Sequence, residues 1–508
     1  MRLNCSLAVI AVLAITIALY NLHAASLGVV VSSASVGDTP VSVYRRASGG
    51  LGPVVVIAHG FAGSRQLMQS FALCFARNGY VAVTFDFPGH GRNPDPLTGN
   101  ITDANGASQV LLASLRRVAA YARGLGDGRL AVLGHSMASD IVIRYAETTP
   151  RVAATIAVSM FSPAVTRTAP ANLLVIVGNW EGRLKLEALR AIGLASAPSA
   201  ARAGVTYGNP AQGSGRRAAF SAATEHVSVL FSRQSMKEAL DWLDESFGTR
   251  RSQPPVIDSR GPWILLLLGA VVLLARPLAT LLPRVVAPPA GAGRTWRQLW
   301  IPLLVPMAAT PLLLRVLPTH FLPVLVGDYL SVHFALYGIL TLLCLVATQP
   351  PRSDARPLTQ PASKLALAGA SFAVIAFGFV ALVWPINTYV TSFVPGRQRL
   401  ILIMFMLAGT LMFFLTDEWL TRGRGAARGA YATSKCLFVV SLAIAVALDL
   451  YRLFFLIIIV PIIVVFLVIY GLLSGWIYRR TGHPLVAGIA NAVAFAWAIG
   501  ATFPLMAG

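Results

Sequence analysis

From residue 263 onward the chain is a series of apolar stretches in which charge nearly disappears: 263–282, 299–317, 324–347, 365–386, 400–416, 435–448, 454–478 and 485–504. Most run to about 18 residues or more, the length a helix needs to cross a hydrocarbon core of ~30 Å. In lipid every backbone polar group must be satisfied internally, so such a series specifies helices. The expectation is an all-α polytopic membrane domain of about eight spans over residues 263–508. A further apolar run, 7–19, follows Met1-Arg2 and leads to small residues around Ala25. That pattern predicts a signal peptide or signal anchor over residues 1–25, with a slight preference for the anchor.

Between these segments the composition is that of a soluble domain, residues 26–250, followed by a linker over 251–262. If the soluble domain lies outside, the inner loops carry Arg284, Arg294, Arg297, Arg352, Arg356, Lys364, Arg422, Arg424, Arg428, Arg479 and Arg480. The outer loops carry Arg397, Arg399 and Arg452; Arg250, Arg251 and Arg260 would also flank a span on the outer side and argue the other way, but they weigh less because a folded domain precedes them. The bias predicts a multi-pass protein of a bacterial plasma (inner) membrane with its soluble domain extracytoplasmic. Much of the net charge of +21 is thereby topological. No basic run interleaved with aromatics forms a nucleic-acid groove, so no nucleic-acid partner is expected, whereas membrane lipids are. Cys5, Cys74, Cys344 and Cys436 are scattered and leave at most one thiol in the soluble domain. They build no disulfide framework there, and no ligand spacing argues for a metal or other cofactor.

The soluble domain is punctuated by motifs at strand ends. An apolar run ends in Gly134-His135-Ser136-Met137-Ala138, and a helix-compatible stretch follows. This is the pattern of a sharp strand-to-helix turn that lifts one hydroxyl out of a sheet. Upstream, the apolar strand 54–58 runs into His59-Gly60-Phe61-Ala62-Gly63-Ser64, and strand 80–86 into Phe87-Pro88-Gly89-His90-Gly91-Arg92. Downstream, strand 173–177 ends in Gly178-Asn179-Trp180-Glu181, and Glu225-His226-Val227 precedes a helical run. Buried strands alternating with amphipathic helices predict a doubly wound, mostly parallel sheet covered on both faces.

These motifs, in this order, resemble the α/β-hydrolases over roughly residues 40–248. The resemblance implies a Ser-His-acid triad of Ser136, His226 and Glu181, with an oxyanion hole from the backbone N–H groups of Phe61 and Met137. It implies a serine hydrolase that cleaves an acyl ester, with a lipid ester among the candidates; thioester and amide substrates remain open. Asp140 and Glu225 are the alternative acids. Three positions depart from the common pattern: Ala138 replaces the last elbow glycine, Asn93 stands where relatives often carry serine, and the acid is glutamate. Only about a dozen residues separate strands 153–159 and 173–177, too few for a helical lid. Such a site is either open or covered by another domain. The alternative reading is a non-catalytic binding module on a transporter-like or scaffold membrane domain.

A second, fainter likeness lies over residues 400–500. Asp417-Glu418 with Arg422, and the stretch from Gly475 to Asn491, resemble the CPBP (CAAX-type) intramembrane proteases. Asn491 stands where that family usually has histidine, and the middle histidine is absent. The resemblance therefore implies a degenerate, non-catalytic relative, with intramembrane proteolysis third among the functional readings. The plainer alternative makes Asp417, Glu418 and Arg422 an ion-pair cluster at a helix end.

Overall fold

Apolar central strands buried on both faces build the soluble core. The computed structural model describes residues 2–100, 106–195, 201–349 and 362–507, so Arg352 and Arg356 lie outside the described residues. The strands are β1 Val29–Val36, β2 Thr39–Arg46, β3 Val54–Ala58, β4 Val81–Phe85, β5 Leu130–His135, β6 Val152–Val158, β7 Leu173–Gly178, β8 Thr206–Tyr207 and β9 Arg216–Ser221. They form one sheet in the order β1-β2-β4-β3-β5-β6-β7-β9-β8. Pairing is parallel from β4 through β3, β5, β6 and β7 to β9, and antiparallel at the two edges. The expected mostly parallel sheet is present.

The helices are α1 Arg2–Ala24, α2 Gln69–Arg77, α3 Ala107–Arg123, α4 Met137–Glu147, α5 Gly182–Gly193 and α6 Arg233–Phe247, followed by nine more. These are α7 Gly261–Ala279, α8 Trp296–Leu313, α9 Gly327–Ala347, α10 Lys364–Gly378, α11 Trp384–Tyr389, α12 Arg397–Thr421, α13 Ala430–Leu448, α14 Leu450–Thr481 and α15 Pro484–Thr502. Val55 and Ile57 of β3 pack with Phe71 and Phe75 of α2 and Leu240 of α6 on one face of the sheet. Val54, Val56 and Ala58 pack with Leu115 and Val118 of α3 and Val142 of α4 on the other. A strand buried on both faces needs no polar side, which is why β3 reads as one apolar run.

Among the described residues eight helices are long and apolar enough to cross a membrane: α1, α7, α9, the run Lys364–Tyr389, α12, α13, α14 and α15. The stretch expected at 299–317 differs. It is α8, whose 18 residues begin Trp296-Arg297-Gln298 and include Pro302, Pro306 and Pro311. Its uninterrupted apolar part falls short of the length that qualifies the others. Even so, α8 runs between opposite ends of the bundle. The turn at 292–294 is hydrogen-bonded to the C-terminal end of α12, whereas Val324, beyond α8, bridges to Leu505. A π-helical turn at 379–383 joins α10 to α11, just before Pro385, which lacks the N–H the preceding turn would use.

The end of the helical domain that holds 320–326, 387–399 and the tail 503–507 meets the soluble domain. Arg399 is the main fastener. Buried to 2% exposure, its guanidinium donates to the carbonyls of Gly500, Phe503 and Gly89 at 3.1, 2.6 and 2.8 Å. Leu97 N–H donates to Leu505 O, and Leu505 N–H to Gly89 O, each at 2.8 Å. Ser64 Oγ accepts from Ser392 N–H at 2.8 Å and shares a hydrogen bond with Thr391 Oγ1. The ring of Phe61 stacks on Phe455 of α14 with centroids 4.3 Å apart. Arg284, Arg294, Arg422, Arg424, Arg479 and Arg480 lie at or beside the opposite end, where Val285 and Ala292 bond to Thr481 and Trp419.

Replacing Arg399 by leucine removes this donor from the carbonyls of Gly500 and Phe503, while Gly89 O keeps Leu505 N–H, at ~1–3 kcal/mol for the first such loss. Arg399→Leu is expected to lower the thermal unfolding midpoint of the full-length protein in lipid nanodiscs. A midpoint unchanged from the parent would mean that Arg399 fastens nothing.

Candidate functional site

Ser136 occupies the turn between β5 and α4 with φ 52° and ψ −117°. A non-glycine residue holds positive φ only when its surroundings over-determine it. Here Ser136 N–H donates to Val158 O at 2.8 Å, while Ser136 O accepts from Ser139 Oγ at 2.6 Å. Gly134 supports the turn by having no side chain, since a Cβ there would collide with the Ala138 carbonyl. That close approach involves the backbone of residue 138, so alanine serves in place of the usual last glycine.

His226 and Glu181 come to this serine from 90 and 45 residues downstream along the chain. His226 Nε2 lies 2.8 Å from Ser136 Oγ, and His226 Nδ1 lies 2.6 Å from Glu181 Oε1. Glu181 opens α5 and folds back on its own strand. Its Oε2 accepts from Gly178 N–H and from Ser159 Oγ, both at 2.7 Å. The additional methylene of glutamate lets one carboxylate serve the turn and the imidazole together. Burial pushes the Glu181 carboxyl up, but the hydrogen bonds from His226, Ser159 and Gly178 outweigh it and hold it below the usual range.

The two alternative acids are engaged elsewhere. Asp140 accepts from Ser162 Oγ at 2.6 Å and pairs with Arg144. Glu225 accepts from the N–H groups of Val227 and Ser228 at 2.8 and 2.7 Å. The loop of Phe61 lies beside the elbow. A Cβ on Gly60 would stand 2.9 Å from His135 Nδ1 and 3.0 Å from Ser136 Cβ. Met137 begins α4, so its N–H has no intrahelical acceptor. The structure thus brings Ser136, His226, Glu181, Phe61 and Met137 to one edge of the sheet.

Two contributors carry no sequence signal of their own. Ser159, at φ 52° beyond β6, steers Glu181. His135, immediately before the serine, donates from Nε2 to the backbone carbonyl of His226 at 2.9 Å. It therefore positions the second histidine through its backbone. Burial pushes the imidazoles of His135 and His90 down to about 3 and also lowers that of His59, so all three are neutral near pH 7. His59 accepts from Phe87 N–H at 3.1 Å and clamps the ends of β3 and β4 together. Asp86, fully buried, accepts from the N–H groups of Arg65 and Arg92, and Asn93 donates to its carbonyl.

In the helical domain Glu418 and Asp417 are 0% and 2% exposed, deeper than a cluster at a helix end implies. Glu418 pairs with Arg422 at 3.2 Å and accepts from Ser474 Oγ at 2.5 Å and Asn491 Nδ2 at 3.4 Å. Asp417 pairs with Lys435 and Ser434. Among the described residues no group of histidine, cysteine and carboxylate side chains could hold a metal ion.

Residues 52–199 match the family model described as Serine aminopeptidase, S33. The soluble domain has the α/β-hydrolase fold; that match does not extend to the CPBP-like stretch. No match is found among curated proteins. Three similar solved structures are an epoxide hydrolase from Vigna radiata, a predicted CIB-like hydrolase from Thermoplasma acidophilum and a putative dienelactone hydrolase from Klebsiella pneumoniae. They are 22%, 16% and 17% identical, with TM-scores of 0.22, 0.32 and 0.30. The aligned parts cover 27%, 43% and 44% of this chain. The chain spans 40% of the Vigna radiata enzyme's length, and 98% and 99% of the other two.

The Glu181 environment sets a pH dependence. Its pKa in the folded protein is depressed, so its stabilisation is present above the ordinary glutamate value of ~4.3 and is lost as pH falls through the depressed one. Glu181→Gln is expected to cost on the order of 1 kcal/mol at pH 7. The gap from the parent should close as the pH is lowered through that window. Unfolding midpoints measured from pH 7 to 3 test this, and a gap that persists unchanged would contradict it.

Proposed function

We propose that the protein is a membrane-anchored serine hydrolase that cleaves acyl esters, with Ser136 as nucleophile, His226 as base and Glu181 as the acid that orients it. One observation carries this reading: the line of hydrogen bonds from Glu181 through His226 to a serine at positive φ. Backbone strain of this kind clusters at active sites. The S33 family match over 52–199 is consistent with hydrolysis.

The chemistry follows from the positions. Ser136 Oγ attacks the ester carbonyl carbon as its proton passes to His226 Nε2. The carbonyl oxygen becomes an oxyanion facing the N–H groups of Met137 and Phe61. Glu181 stabilises the imidazolium through Nδ1–H. Collapse of the tetrahedral species breaks the ester C–O bond, and His226 returns the proton to the departing alcohol. Water then adds to the acyl-enzyme by the same route, giving the carboxylic acid and free Ser136. No cofactor enters this sequence.

The soluble domain is assigned to the extracytoplasmic face of a bacterial inner membrane. The arginines gathered at the far end of the helices support that orientation. The intramembrane network of Glu418 and Arg422 is read as structural, because each of its charges has a partner.

Labelling of the nanodisc-held protein with a fluorophosphonate probe tests the reading. Wild type should label, whereas Ser136→Ala and His226→Ala should not, and ester turnover should fall by roughly 10⁴-fold or more in each. Folded wild type that fails to label would favour a non-catalytic binding module.

A further inference from the structure

The sheet order divides the catalytic edge into two halves. Parallel strands bring the ends of β4, β3, β5, β6 and β7 to one edge, in that spatial order. The loops after β4 and β3 are docked on the helical domain through Gly89, Leu97, Phe61 and Ser64. The loops after β6 and β7 carry Phe161 and Trp180 instead. Each is 69% exposed, more than any other described aromatic residue of the soluble domain. Val227, beside His226, is 40% exposed. At ~4.8 Å per strand, the ends of β6 and β7 lie about 5 and 10 Å from the end of β5. Ser136 therefore sits where the docked half meets an uncovered apolar rim.

The helical domain indicates what lies under that rim. Helix α14 has 32 residues, about 48 Å at 1.5 Å per residue, against ~30 Å of hydrocarbon. Asp449 and Arg452 at its start, paired with Arg315 and Thr319, mark that end as the one suited to the headgroup region, and there Phe455 meets Phe61. The rim continues the same edge of the sheet sideways past the helices. Tryptophan and phenylalanine are the side chains that settle at a bilayer interface. Exposed Arg167 and Arg183 flank them on the same two connections, suited to anionic headgroups.

We propose that Phe161, Trp180 and Val227 rest on the bilayer that the helices cross, and that Ser136 takes its acyl substrate from the membrane at the boundary between helices and lipid. The substrate part of this proposal rests on the serine-hydrolase reading; the contact of the rim with lipid does not. The helical domain then acts as half of the missing lid, with the membrane surface as the other half. A long-chain acyl ester reaches the serine without leaving an apolar environment, and its carbonyl meets the N–H of Phe61, whose ring is already packed on α14.

Spin labels placed at Phe161→Cys and Trp180→Cys in the full chain, with Cys5, Cys344 and Cys436 replaced by alanine, test the contact in anionic nanodiscs. Relaxation by oxygen, which partitions into lipid, should exceed that by a water-soluble nickel chelate severalfold at both positions. A label at Leu51→Cys, an exposed residue before β3 at the opposite edge, should show the reverse. Labels at 161 and 180 as open to nickel as the one at 51 would overturn the proposal. Shielding from both reagents would overturn it too, since a protein would then cover the rim.

A second measurement separates the substrate claim. Phe161→Gln/Trp180→Gln should reduce turnover of a long-chain ester in vesicles at least tenfold relative to a soluble short-chain ester. An unchanged ratio would sink it. If wild type fails to label with fluorophosphonate, the hydrolase reading and the substrate claim fall together, while the spin labels still decide the lipid contact.

Discussion

Everything chemical in this protein depends on parallel strand pairing. When β4, β3, β5, β6, β7 and β9 run the same way, their trailing loops must emerge at one edge. His59, Asp86, Ser136, Ser159, Glu181 and His226 all lie at or beyond those strand ends. None of these positions is specified by its neighbours in sequence alone. The hydrogen bonds between strands set the spacing, and side chains of ordinary length then suffice to connect β7 to β5 across β6. Ser159 makes this plain: it stands at the end of the intervening strand and gives Glu181 its second hydrogen bond.

Much of this was legible in the sequence, because elbow, loop and acid motifs are local patterns of glycine, histidine and apolar runs. The parallel core, the serine turn and the meeting of His226 with Glu181 follow from such patterns and their order. What could not be read was contact between distant segments. Ser64 and Ser392 are separated by 328 residues, and neither carries a motif that names the other. Arg399 likewise reads as an outer-loop charge, yet it is a buried fastener of three carbonyls. Composition places an arginine near a helix end; only packing decides whether it faces water. The stretch expected at 299–317 forms α8, which runs between opposite ends of the bundle but is less apolar than its neighbours, since the sum of apolar residues hides a polar first turn and three prolines.

The ion pairs within the helices pose the opposite problem. Asp417 and Glu418 are adjacent, so as neighbours on a helix they point to different sides and find different partners: Lys435 and Ser434 for one, Arg422, Ser474 and Asn491 for the other. Breaking one member of such a buried pair is costly, although the intact pair contributes little net stability. Its value lies in register. Each carboxylate is satisfied only when α12 meets α13, or α14 and α15, at one height. A helix that slid by a turn would lose its partners on the other helices and leave Glu418 only Arg422 at the end of its own helix.

Register matters here because the helices pack against the loops beside Ser136. Phe61 lies in the loop beside the serine turn, and its ring is stacked on Phe455. Gly89, in the adjacent loop, accepts from Arg399 of α12. A shift of α12 or α14 along its axis would drag both loops away from Ser136. In a lidless hydrolase fold the far half of the active-site wall would ordinarily be solvent. Here it is the end of a helical bundle whose height is set by buried charge pairs some twenty residues further down α12. The polar network within the helices and the loop of Phe61 above them are thus parts of one mechanical arrangement, and the soluble domain does not sit independently of the helical one.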